Sequence, residues 1–179
     1  MNPLWILRTP RLLLTPVGGA DLPDIRAIKA DPRVFAIMLG GVRSWRQAAD
    51  ELAADIVAWG ANGFGIWTIR AAATSQFVGI TGLERRQDGR GVALRFALWP
   101  EAQGHGLARE AASAALRFGH DQACLERIVA VARENNFASR MVLGGIGMTE
   151  CGDFVQQGHH MVMYQSVVSR PAPPAAASR

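Results

Sequence analysis

The residues with the clearest chemical potential lie in a turn between a predicted strand and a predicted helix. The turn reads Gln103-Gly104-His105-Gly106-Leu107-Ala108 and fits the pattern Gln/Arg-x-x-Gly-x-Gly/Ala. Backbone N–H groups at a helix N-terminus bind phosphate, helped by the positive end of the helix dipole. Glycine lets the backbone approach a ligand or adopt a positive φ. The turn therefore predicts either a phosphate-binding site or merely a tight strand-to-helix connection.

Two other phosphate-binding templates do not fit this turn. A Walker loop requires Gly-Lys-Ser/Thr, and the only lysine in the chain is Lys29. The dinucleotide fingerprint GxGxxG requires glycine where Arg109 stands.

Length and composition indicate one ordinary globular domain. The chain has 179 residues, 19% of them charged, and a formal net charge of +4. Its basic residues are nearly all arginine, which binds phosphate bidentately, although a preference for arginine codons is the favoured explanation. They form no basic stripe, so nucleic acid is not an expected partner. No apolar run approaches the ~20 residues of a membrane span, and no secretory leader is present, which predicts a cytoplasmic protein with no membrane partner.

Cysteine and histidine usage predicts no metal and no disulfide framework. Cys124 and Cys151 lie far apart without a CxxC pair. His159 and His160 lack the three or four ligands that a zinc site needs.

Periodicity and turn residues predict a mixed α/β (α+β) domain followed by a disordered tail at residues 169–179. Predicted strands cover residues 11–17, 64–71, 77–84, 92–99, 128–132, 148–154 and 161–167. Three predicted helices begin at the caps Asp21, Ser44 and Asn136, and another opens at Gly104–His105–Gly106 and reaches about Gln122. The second helix should bury Ala48, Leu52, Ala53, Ile56 and Trp59, and the third should bury Ala108, Ala111, Ala112, Ala115 and Leu116.

Three segments carry a family resemblance: TPRLLLTPV, LWPEAQGHGLAREA, and ENNFASRMVLGGIGM after the strand at 128–132. In this order and spacing the chain resembles the Gcn5-related N-acetyltransferase (GNAT) superfamily, within it the ribosomal-protein N-terminal acetyltransferase branch. The resemblance implies one GNAT-like domain over residues 1–168, with a mixed, mostly antiparallel sheet of about seven strands and about four flanking helices. It also implies acetyl-CoA as co-substrate and an amine as acceptor.

The resemblance assigns roles at the acetyl-CoA site. Amides from Gly104 to Arg109 would hold the pyrophosphate, and the pantetheine arm would pair with backbone at Ala97, Leu98 and Trp99, as an added strand does. The N–H near Leu98 would polarise the thioester carbonyl. Asn136 would contact pantetheine and Ser139 would lie near the sulfur. The expected cofactor-binding residues are Ala97, Leu98, Trp99, Gln103, Gly104, His105, Gly106, Leu107, Ala108, Arg109, Asn136 and Ser139.

Ser139 and Glu84 are the expected catalytic residues. Many family members use a tyrosine as the acid where Leu143 stands here, which leaves Ser139 as the candidate; alternatively its hydroxyl bonds to backbone. Glu84, at a strand end beside the expected cleft, is the candidate base; alternatively it is only a solvated carboxylate. Val131 and Ala93 replace acidic residues that other members carry, and Arg95 stands where glycine is common.

Three classes of function remain open. The leading one is an N-acetyltransferase that acts on a protein N-terminus or a small-molecule amine through a tetrahedral intermediate. The missing tyrosine and glutamates favour a non-catalytic acyl-CoA-binding module instead. The third is an interaction domain whose glycine turn binds nothing. A homodimer is a further expectation from the family.

Overall fold

An eight-stranded mixed sheet forms the centre of the structure, a computed structural model that describes residues 2–86 and 88–169. The spatial order is β1-β2-β3-β4-β5-β6-β8-β7. Neighbouring strands are antiparallel except β5 and β6, which are parallel. The strands are β1 (Leu7–Arg8), β2 (Leu12–Pro16), β3 (Ile66–Ala71), β4 (Phe77–Arg85), β5 (Val92–Leu98), β6 (Arg127–Arg133), β7 (Thr149–Gln156) and β8 (His159–Val167).

Helices cover both faces of this sheet, and side chains fix where most of them begin. They are α1 (Leu22–Ala30), α2 (Pro32–Phe35), α3 (Trp45–Asn62), α4 (Leu107–Asp121) and α5 (Phe137–Gly145). Ser44 accepts from the Gln47 amide at the start of α3, and the Gln47 side chain accepts from the Ser44 amide. Asp31 ends α1 and caps α2, since the residue before a proline avoids the helical region.

Two apolar cores lie on opposite faces of the sheet. On one face, α4 packs its fully buried Ala111, Ala112 and Ala115 into a cluster that includes Leu94 and Ile128. Small side chains let this helix lie close to the strands. On the other face, α1 to α3 enclose a second cluster built from ten buried side chains: Val17, Ile25, Ile28, Val34, Phe35, Leu52, Ile66, Phe77, Ile80 and Ala97. A ligand between β5 and β6 would therefore lie between two different surroundings, the α4 core on one face of the sheet and the α1–α3 core on the other.

The predicted fold is confirmed, with corrections at short elements and helix faces. The described residues form eight strands and five helices where about seven and four were expected; the two-residue β1 and four-residue α2 are too short for periodicity to reveal. Asp21 does not cap α1 through its side chain, which instead accepts from the Gly18 amide and binds Arg70.

The sets of buried side chains predicted for α3 and α4 differ slightly from those in the structure. Ala53 and Ile56 of α3 are exposed because the helix contacts the sheet through a narrower stripe than the pattern suggested. Ala108 of α4 is only half-buried, since it lies in the first turn, and Phe118 is buried in addition to the expected alanines. The predicted tail falls almost wholly at 170–179, outside the described residues. Of the helices in the described part of the chain, none has the length and apolar character needed to cross a membrane.

Candidate active site

The turn before α4 presents a row of backbone amides. Gly104 and Gly106 have φ of 78° and 75°, a region that L side chains rarely adopt. The first helical hydrogen bond of α4 runs from the Glu110 amide to the Gly106 carbonyl, at 3.1 Å. The N-cap is a glycine, so no side chain caps this helix, whereas α2, α3 and α5 are each capped by one. Within residues 2–86 and 88–169, no group accepts from the six amides at 104–109.

Arg11 and Glu110 fix this turn in place. The Arg11 guanidinium donates to the His105 carbonyl (Nη1 to O, 2.8 Å) and to Glu110 (Nε to Oε2, 2.7 Å). Thr9 donates to the same carboxylate at 2.6 Å. Burial alone would raise the Glu110 pKa, but the hydrogen bonds from Thr9 and Arg11 outweigh it and lower the pKa. Sequence reasoning assigned Arg11 no role, because its partners lie more than 90 residues away.

Two long side chains of the turn act within the chain. The Gln103 amide donates to the Pro100 carbonyl at 3.1 Å, and its side chain Nε2 donates to the Leu98 carbonyl at 3.0 Å. Arg109 donates to the Gly145 carbonyl at 2.6 Å and so connects α4 to α5. Both residues shape the turn, and their direct contact with a ligand stays a prediction.

Strands β5 and β6 separate after a short parallel contact. Within the described residues they pair only at Val92 with Ile128 and Ala93 with Val129. The Trp99 amide donates to the Val78 carbonyl of β4 at 3.0 Å. Because hydrogen bonds alternate in direction along an antiparallel pair, the amides of Leu98 and Phe96 face the gap, while that of Ala97 faces β4. Sequence reasoning selected Leu98 but missed Phe96, since only the register shows which amides face outward.

A cleft of about 430 Å³ occupies the gap between the diverging strands. Asn136 and Ser139, at the start of α5, line one wall. Asn136 Oδ1 accepts from the Ser139 amide at 3.1 Å, which fixes this first turn. The Ser139 hydroxyl has no hydrogen-bond partner among the described residues, so the alternative of a bond to backbone is not what the structure shows. Leu143, 2% exposed, closes the cleft where the expected tyrosine would stand.

Glu84 lies on the opposite wall, at the end of β4. Its carboxylate pairs with Arg95 of the adjacent β5, and its side chain is 45% exposed. Burial alone would lower the Arg95 pKa, but the pairing with Glu84 outweighs it and raises the pKa. Glu84 thus borders the cleft as a paired carboxylate rather than a freely solvated one.

Asp55 of α3 is an ionisable group that sequence reasoning did not select. It lines a small cavity beside the cleft, together with Arg95 and Phe96. Burial raises the pKa of Asp55 to about 6, although Lys29, at 3.6 Å, lowers it in part. Lys29 itself is 3% exposed and bonds to Glu51 at 2.8 Å. On the sequence, Asp55 looks like an ordinary helix-surface acid, so no local pattern could have found it.

The loop between α2 and α3 borders the cleft opening. Met38, Leu39 and Gly40 line the cleft, and Gly40 and Gly41 have φ of 81° and 67°. The Arg43 amide bonds to the Lys29 carbonyl at 2.9 Å, which anchors the end of the loop. Across the described part of the chain, no group of three or more His, Cys, Asp or Glu side chains could hold a metal ion.

Comparison with known proteins gives the class of this fold. An acetyltransferase from Agrobacterium tumefaciens str. C58 superimposes with a TM-score of 0.80 at 26% identity, covering 90% of this chain and 93% of that one. RimL, a ribosomal L7/L12 alpha-N-protein acetyltransferase solved with coenzyme A, superimposes with a TM-score of 0.75 at 17% identity, covering 91% of this chain and 98% of that one. A Salmonella typhimurium acetyltransferase that modifies the N-terminal serine of L7/L12 superimposes with a TM-score of 0.77 at 16% identity, covering 92% of this chain and 99% of that one.

The protein is therefore an acyl-CoA-dependent acetyltransferase by class. A family model described as the acetyltransferase (GNAT) domain matches residues 11–149, and the chain belongs to the GNAT family. The resemblance read from the sequence is thus confirmed, and its solved neighbours include ribosomal-protein acetyltransferases.

Proposed function

We propose that the protein transfers an acetyl group from acetyl-CoA to a primary amine by direct attack. The observation that carries this proposal is that the six amides at 104–109 have no acceptor among the described residues, at a turn that follows β5, whose pairing with β6 ends after two residues. The residues fit acetyl-CoA, since the amides suit its pyrophosphate and the Phe96 and Leu98 amides suit its pantetheine arm and thioester oxygen.

Two residues that line the cleft carry out the proton transfers, one as the base and the other as the acid. Glu84 accepts a proton from the amine, directly or through water, because an amine attacks only in its neutral form. As the nitrogen–carbon bond forms and the carbon–sulfur bond breaks, the Ser139 hydroxyl donates a proton to the leaving sulfur and regains one, through water, from the nitrogen that becomes the amide; Glu84 then releases its proton to solvent. No covalent intermediate on the protein is needed.

A peptide N-terminus is the favoured acceptor. The Salmonella typhimurium neighbour modifies an N-terminal serine and shares this fold. Residues of the loop between α2 and α3 line the cleft, and a peptide acceptor would pass along this loop to reach Ser139. A small-molecule amine remains the other acceptor class to test.

Release of free thiol from acetyl-CoA, measured with a panel of amines, tests this proposal. We expect amine-dependent release and a product heavier by one acetyl group. Ser139→Ala should lower kcat by about 10²-fold, the lower end for loss of an acid–base group, with little change in the KM for acetyl-CoA.

Ser113→Ala on α4 is the matched control and should keep full activity, since Ser113 only accepts from Arg117. Binding of acetyl-CoA without thiol release for any amine would favour a non-catalytic acyl-CoA-binding module. Full activity in Ser139→Ala would remove that residue from the mechanism.

A further inference from the structure

The cleft has an excess of positive charge. Its lining includes five arginines (Arg43, Arg85, Arg86, Arg95, Arg133) and two carboxylates (Glu84, Asp88). Both carboxylates are already paired, Glu84 with Arg95 and Asp88 with Arg86. A polycationic acceptor would thus meet no unpaired carboxylate among the described cleft residues, and it would meet repulsion from like charges.

Arg133 is the cation best placed to bind an acceptor. It is the last residue of β6 and lines the cleft, and its Nη2 donates to the Ala36 carbonyl, at the end of α2, at 3.1 Å. No described carboxylate pairs with it, so its charge is uncompensated and its other N–H donors are available. A planar guanidinium binds a carboxylate through two parallel hydrogen bonds.

Arg133 lies close to the residues at which acetyl transfer is proposed. Asn136 and Ser139 follow it within six residues along the chain and line the same cleft. Strand alternation places Arg133 on the same face of the sheet as Arg95 and Glu84, opposite the α4 core. An amine bound near Ser139 would therefore have its neighbouring groups within the reach of Arg133.

We propose that the acceptor is a peptide amine with acidic side chains close to its N-terminus, and that Arg133 binds one of these carboxylates. This inference rests on the proposed function for its chemistry, but the charge preference concerns binding and can be measured without turnover.

The test compares three peptides that have free N-termini and carry a label at the C-terminus. They begin with Ser-Glu-Glu, Ser-Ala-Ala and Ser-Lys-Lys. Binding to the CoA-saturated protein and kcat/KM are measured for each. We expect the acidic peptide to bind at least tenfold more tightly than the basic one, with a preference that falls as salt rises.

Arg133→Gln should reduce binding of the acidic peptide about tenfold, through KM rather than kcat, and leave the alanine peptide nearly unchanged. Arg133→Lys should retain part of the preference. Arg46→Gln removes the same charge from an 89% exposed side chain on α3 and should change nothing.

Equal or tighter binding of the basic peptide would overturn the inference. So would an equal loss for all three peptides in Arg133→Gln, which would show that Arg133 only holds the loop at Ala36. Absence of acetyl transfer with intact binding preference would contradict the proposed function and leave the charge preference standing.

Discussion

At the scale of single residues, Asp55 shows how tertiary packing sets an ionisation that the sequence does not reveal. Its side chain, 18% exposed, lies beside a lysine that is also paired with Glu51. Burial raises its pKa to about 6, from an ordinary value of 3.8. Between these two values the folded chain binds more protons than the unfolded chain, so stability must fall as pH rises.

The free energy of unfolding of Asp55→Asn should therefore increase relative to that of wild type as pH rises from about 4 to 6. The neutral amide avoids the desolvation cost that wild type incurs, which is on the order of 3 kcal/mol above pH 6 for a shift of about two pKa units. Urea unfolding of both proteins across pH 4 to 7.5 measures the difference. A difference that stays constant over this range would show that Asp55 ionises normally.

Ser139, Asn136 and Leu98 illustrate what could be predicted about the candidate site. The family resemblance of their segments selected them; in the structure Asn136 and Ser139 line the cleft, and the register of β4 and β5 turns the Leu98 amide towards the gap between β5 and β6. Phe96 and Arg133 were missed because their relevance depends on strand register and on a contact 97 residues away in sequence. Their roles in binding stay predictions until they are tested.

At the scale of elements, the start of α4 depends on the chain segment that precedes β2. Arg11 and Thr9 together hold Glu110, and Arg11 also holds the His105 carbonyl. Local patterns predicted most helices and strands because caps, glycines and alternation lie within a few residues of each other. This anchor joins distant segments, so no local pattern could indicate it.

Arg11→Gln should lower stability by about 1 kcal/mol, since the guanidinium is half-exposed, and should weaken acetyl-CoA binding by disordering the turn. Glu110→Gln should act similarly. Chemical unfolding of both single variants and the double variant forms a cycle, and we expect the double variant to lose less than the sum. Strict additivity would mean that the two side chains do not act as one anchor.

At the scale of the whole molecule, the separation of β5 from β6 after two paired residues creates the cleft. The α4 core and the α1–α3 core cover opposite faces, and the parted β5 and β6 connect those faces through the cleft. The turn before α4 follows the C-terminal end of β5, and five arginines line the cleft. Under the proposed function, acetyl-CoA would bind from the side of this turn and the acceptor from the side of the loop between α2 and α3.

The proposed binding of acetyl-CoA at the uncapped start of α4 can be tested by substitution of His105. His105 is exposed, and substitution at Gly106, with a φ of 75°, would add backbone strain. A glutamate at 105 lies at the positive end of the helix dipole, which favours the fold while repelling a pyrophosphate. His105→Gln is the matched neutral control.

Thermal unfolding with and without acetyl-CoA, in wild type, His105→Gln and His105→Glu, is the most direct measurement. At a hundredfold excess over Kd we expect about 2.7 kcal/mol of stabilisation in wild type and nearly as much in His105→Gln. His105→Glu should show much less at the same acetyl-CoA concentration, with a midpoint in its absence that is equal to or slightly above that of wild type. No stabilisation of wild type, or equal stabilisation of His105→Glu, would contradict the account.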